Sequence, residues 1–144
     1  MAHRFSAWDF RLLPPTHLEV VKAWLDFYRE YREALVHAKL TLLSFEPYFP
    51  AIQLEAGSNL FLYLGSGTVV PAQVGRCTEL FLINASDLDH LKIQLEEIGI
   101  GSWELTSHDC FLKEVQKERL SVDKDHIFLS RPVRQGGMLR LSKV

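Results

Sequence analysis

The chain has 144 residues, 47% of them hydrophobic and 24% charged, the balance of a globular domain able to bury roughly two thirds of its unfolded surface. Its net charge of -2 supplies no drive toward nucleic acid or an anionic membrane, so neither partner is expected. Two cysteines, Cys77 and Cys110, are too few for a disulfide framework and lack metal-type spacing, which predicts two reduced thiols. The first ten residues lack the apolar core of a signal peptide, and no run approaches the ~18 apolar residues of a membrane span. A cytoplasmic location is the expectation.

Residues 1–13 carry Phe5, Trp8, Phe10, Leu12 and Leu13 without a clear period and read as an extended lead-in that packs on something. Pro14 and Pro15 interrupt regular structure. Residues 16–36 then show a complete helix pattern, with Thr16 and Glu19 spaced as a capping box. On a helical wheel Glu19, Lys22, Asp26, Arg29, Glu30 and Glu33 fill one polar sector. The remaining arc holds Leu18, Val20, Val21, Trp24, Leu25, Phe27, Tyr28, Tyr31, Leu35 and Val36, with Arg32 the one charge in it. That arc exceeds the ~100° stripe of an ordinary surface helix, so the helix should have two partners, only one of them supplied by the rest of the chain. Trp24, Phe27, Tyr28 and Tyr31 are its candidate interface residues.

From Leu40 onward the text changes to short apolar runs separated by Gly, Pro, Ser and Asn. Strands are expected at 40–44, 51–56, 59–65 and 79–85, the last two apolar enough to be covered on both faces. Residues 46–50, with two prolines, form a stiff loop presenting Tyr48 and Phe49. Gly65 to Gly67 is a predicted hairpin turn, residues 68–70 extend it, and Pro71 should end pairing. Residues 90–97 read as a strand because Gly99 and Gly101 follow so closely. Further strands are expected at 103–106, 111–115, 119–122, 126–129 and 138–141, with a turn at Gln135-Gly136-Gly137. The prediction is a mainly β chain: an antiparallel β-sandwich of about eight to ten strands, residues 39–144, preceded by a lead-in and one long amphipathic helix in residues 1–38.

No stretch announces a reaction. The six histidines are dispersed and form no metal-binding spacing, so no metal and no cofactor are expected. The Gly65-Ser66-Gly67-Thr68 stretch lacks the Lys-Ser/Thr pair of a phosphate loop and the glycine spacing of a nucleophile elbow. Cys110 beside His108 reads as a buried structural thiol rather than a nucleophile. None of the eighteen acids forms a pair that stands out as the two carboxylates of a glycosidase. Tyr48, Phe49 and Trp103 are the aromatics that would stack on a sugar if the chain binds one, although core packing is the ordinary use of such rings.

The order of features resembles a known family. A helix reading WLDFYREYREAL, a short strand, an aromatic-proline loop, then FLINAS and a closing RPVRQGGMLRLSKV is similar to the C-terminal region of α-galactosidase-type (melibiase) glycoside hydrolases. The resemblance covers the chain from about Leu13 onward. It implies a last barrel helix with a Tyr-Arg pair, as in Tyr31-Arg32, running into an antiparallel β-sandwich. It carries over no catalytic residue, because the family's catalytic aspartates sit on barrel strands and match no position here. The loop after Asp109 departs from the family, which often has a glycine there where this chain has Cys110-Phe111-Leu112. The implied role is an accessory module of a retaining α-glycosidase, partnered by a (β/α)8 barrel or a homologous chain. A carbohydrate-binding module and a protein-interaction module using the helix face are the alternatives.

Overall fold

A computed structural model describes residues 14–44 and 50–144. In it α1 (Pro15–Val36) is followed by β1 (Lys39–Ser44), β2 (Ala51–Ala56), β3 (Asn59–Leu64), β4 (Pro71–Gln73) and β5 (Glu79–Asn84). The chain continues with β6 (His90–Glu96), β7 (Gly101–His108), β8 (Glu114–Val122), β9 (His126–Pro132) and β10 (Met138–Lys143). Seven strands form one sheet in the order β1-β2-β3-β5-β10-β7-β8, and three form a second in the order β4-β6-β9.

Strand periodicity explains why the two sheets stack. Successive side chains point to opposite faces, so Leu60, Leu62 and Leu64 of β3, Leu80 and Leu82 of β5, and Leu139 and Leu141 of β10 share one face. Together with Trp103 and Leu105 of β7 they pack on Leu91, Ile93, Leu95 and Leu129 of the smaller sheet. The other face of the same strands carries Phe61, Phe81 and Met138, which form a second core with Trp24, Phe27, Tyr31 and Leu35 of α1. The continuous apolar runs in β3 and β5 are thus covered on both sides, as their sequences predict. At roughly 1.5–3 kcal/mol per buried large side chain, this double coverage makes β3, β5 and β10 the centre of the fold.

The sheets are mixed rather than purely antiparallel. β3 pairs parallel with β5 from Asn59↔Glu79 to Leu64↔Asn84, and β4 pairs parallel with β6. Parallel neighbours need a crossover, and here it is the excursion through β4 into the smaller sheet. The Gly65-to-Gly67 bend therefore begins an arch between sheets, not a hairpin. Pro71 opens β4 instead of ending pairing; a proline is tolerated at the first residue of a short edge strand.

Two other expectations need correction. The helix begins at Pro15 with Pro14 as its N-cap and no side-chain capping bond. Proline at the first helical position has its φ already set and needs no amide partner, so Thr16 falls inside the first turn and the capping box does not form. The two strands expected at 111–115 and 119–122 are one strand, β8, preceded by a tight turn. Asp109 makes that turn: its Oδ1 accepts the amide hydrogens of Phe111 at 2.9 Å and Lys113 at 3.0 Å.

At the same end of the sheet, where β5 finishes, Asn84 ties two loops together. Its Nδ2 donates to the carbonyls of Leu88 (2.7 Å) and Val133 (2.8 Å), while its Oδ1 accepts from the Ser86 hydroxyl (2.6 Å) and amide (3.1 Å). The adjoining turn needs glycine. Gly136 has φ +76, and a Cβ on Gly137 would stand 2.5 Å from the carbonyl oxygen of His108.

Candidate docking face

Helix α1 lies over the Phe61–Phe81–Met138 cluster, and a ladder of rings fastens it there. Phe27 meets Phe81 at 5.6 Å and Phe61 at 6.2 Å between centroids, both edge-on. Tyr31 sits 4.8 Å from Phe81, which in turn stacks on Phe61 at 4.8 Å and lies under the Arg140 guanidinium at 5.0 Å. Such pairs contribute about 0.5–1.5 kcal/mol each beyond their area. The Arg140 charge is held in place by Glu79, whose Oε2 accepts from Arg140 Nε at 3.1 Å and from the Ser142 hydroxyl at 2.8 Å.

This anchoring covers only part of the apolar arc. No residue of α1 is fully buried, and the six charges of the polar sector are all exposed. On the flank toward β1–β3, Leu25 is 42%, Tyr28 45% and Val36 62% exposed. The strip continues onto the sheet through Leu40, Leu42 and Tyr63, all exposed, and Ile52 and Leu54, half-buried; β1–β2 pairing sets Leu40 beside Leu54 and Leu42 beside Ile52. Between helix and strands runs an apolar groove of about 260 Å³, lined among others by Trp24, Tyr28, Leu35, Ile52, Leu54 and Tyr63.

The other flank of α1 is polar. A groove of about 360 Å³ there holds Asp26, Glu30, Tyr31, His108, Phe111 and Arg140. Burial raises the Tyr31 phenol above its ordinary value, Arg140 opposing and Glu30 and Glu79 adding to the rise. Burial also lowers the His108 imidazole below 6.5; Arg140 acts in the same direction, against Glu114, the Met138 backbone and Asp109. His108 Nδ1 is buried and has no hydrogen-bond partner among the described residues. The folded chain therefore resists protonation that the unfolded chain accepts. Stability should fall as pH drops below 6.5 toward the lowered value, and His108→Gln should flatten that part of a urea-midpoint-against-pH curve relative to the parent.

Comparison of the chain with protein-family models, curated proteins and solved structures finds no match. The face is therefore read from its own residues.

The four helix aromatics expected to line one interface divide between two roles. Phe27 and Tyr31 turn toward the chain's own sheet, Trp24 is half-buried at the groove edge, 5.5 Å from Phe27, and Tyr28 points outward. Trp103 cannot stack on a sugar: it is 1% exposed in the core between the sheets, because its place in β7 directs it inward. Tyr48 and Phe49 lie outside the described residues. Sequence reasoning missed Leu40, Leu42 and Tyr63 as part of the exposed strip. The signal was the pairing of β1 with β2, which the sequence does not display.

Cys77 is buried and Cys110 half-buried in the Asp109 turn, so Cys110 is less enclosed than expected; both thiols are free. Burial, with Glu55 adding to it, raises the Cys77 thiol. Among the described residues no group of three or more His, Cys, Asp or Glu is placed to hold a metal ion, and no helix is long and apolar enough to cross a membrane.

Proposed function

We propose that this chain is a non-catalytic, cytoplasmic accessory module of a retaining α-glycosidase, with its helix-bearing face docked on a (β/α)8 barrel. The observation that carries the reading is the apolar strip left exposed among the described residues, running from Leu25, Tyr28 and Val36 across the groove to Leu40, Leu42 and Tyr63. A contiguous apolar patch of this kind marks a protein contact. The order of helix and sandwich supports the glycosidase reading, since the helix-to-sandwich passage is where the sequence resembles α-galactosidase-type enzymes. In this reading α1 serves two layers: Phe27 and Tyr31 hold it to the sandwich, while Tyr28 and Leu25 face the barrel.

Two measurements test it. The chain alone should release no nitrophenol from aryl α-galactosides or α-glucosides, and hydrolysis abolished by one acid substitution would overturn the non-catalytic role. An α-galactosidase-type barrel stripped of its own C-terminal region should gain thermal stability when this chain is added. No gain with the parent chain, or an equal gain with Tyr28→Glu, would sink the docking claim.

A further inference from the structure

The exposed surface of α1 carries two parallel rows. Leu25, Tyr28, Arg32 and Val36 form one, at steps of three and four residues, and Lys22, Asp26, Arg29 and Glu33 form the next row outward. Every residue in both rows is exposed. The outer row reads plus, minus, plus, minus along the helix. Read backward it is the same row with every sign reversed.

That pattern has a geometric consequence. If two copies of α1 lie side by side in the same direction, each charge in the row meets its own like. If they lie antiparallel about a two-fold axis, Lys22 meets Glu33 and Asp26 meets Arg29, each pair occurring twice. The same arrangement brings the Tyr28 rings to the centre, with Leu25 of one copy against the aliphatic stem of Arg32 of the other. Val21 and Val36 close the two ends of the contact. We propose that the free chain pairs with a second copy of itself through antiparallel α1 helices, burying the Leu25–Tyr28–Val36 flank on both sides.

The partner helix would lie over the open β1–β3 side of the sheet. There Leu40, Leu42, Ile52, Leu54 and Tyr63 already present an apolar floor, so the interface extends beyond the helix pair itself. At 22 residues the helix is about 33 Å long, enough for a contact of standard size once the floor is included. The exposed Asp26–Arg29 pair, 3.7 Å apart within one helix, then becomes part of a four-charge cluster at the two-fold axis. This pairing concerns the chain by itself and uses the face assigned above to a barrel, so the two occupants exclude each other.

Sedimentation velocity of the full chain from about 2 to 200 μM tests it. The expected result is a weight-average mass rising from 16.6 kDa toward twice that value. Lys22→Glu should weaken association about tenfold, because two attractive contacts become repulsive. Lys22→Glu combined with Glu33→Lys should restore it. The double variant keeps the like-charge spacing that Lys22→Glu creates within the helix, so recovery reports contact between copies and not helix stability. A chain that stays monomeric at the highest concentration overturns the proposal, whether the flank is covered by the chain's own N-terminal residues or by a different protein. So does a double variant no better than the single one. A dimer found beside a failed barrel-stabilisation assay would leave this inference standing while removing the glycosidase reading.

Discussion

Replacing Trp103 by alanine is expected to cost about 3–5 kcal/mol, a large share of the 5–15 kcal/mol that holds a domain of this size together. Trp103 is 1% exposed and stands among the leucines that join the two sheets, so its removal leaves a void that rigid strands on both sides cannot close. The indole brings a cost of its own, since Nε1 is buried without a hydrogen-bond partner among the described residues. Trp103→Phe removes that donor and keeps most of the ring, so it should lose much less than the alanine variant. Urea unfolding followed by far-UV circular dichroism separates the two. Equal midpoints for Trp103→Ala and the parent would mean that the inter-sheet core is not organised around this residue.

Phe27→Ala should act on a different part of the molecule. Phe27 touches Trp24, Tyr31, Phe61 and Phe81, and it makes two of the four ring contacts between α1 and the sheet among the described residues, Tyr31 making the other two. A helix in a protein owes most of its stability to tertiary packing of its apolar face, and α1 has no fully buried residue to compensate. The expected outcome is local: about 2 kcal/mol lost from docking of α1, read as roughly 30-fold faster hydrogen exchange of its interior amides. Amides of β3, β5 and β10 should keep most of their protection because their inter-sheet face is untouched. If helix and strand amides lose protection together, α1 is a cooperative part of the sandwich rather than a layer laid on it.

These two residues also mark how far the sequence could be read. Both were visible as large aromatics, and the strand pattern around Trp103 left open whether it met a sugar or the core. Its burial depends on which face of β7 meets the smaller sheet, a matter of register and not of local pattern. Phe27 and Tyr28 are neighbours in one greasy arc, yet one reaches the sheet and the other faces out. The wheel gave the arc's width but not the position of the sheet beneath it. Leu40 and Leu42 lay in a recognised strand, but their membership of an exposed apolar strip follows from pairing with β2 at the edge of the larger sheet.

The amino-acid order by itself determined the helix, nearly all of the strand segments and the double coverage of β3 and β5, because each follows from side-chain period and from glycine and proline acting within a few residues. It also determined that the helix carries an apolar arc wider than the stripe of an ordinary surface helix. Only the tertiary structure decided the mixed pairing of the sheets, the inward turn of Trp103, the division of α1 between anchoring and exposed rings, and the continuation of its open flank onto β1–β3. Those outcomes depend on contacts between residues distant in the chain, such as Phe27 with Phe81 and Asn59 with Glu79, and no local pattern specifies which distant strand a given face will meet.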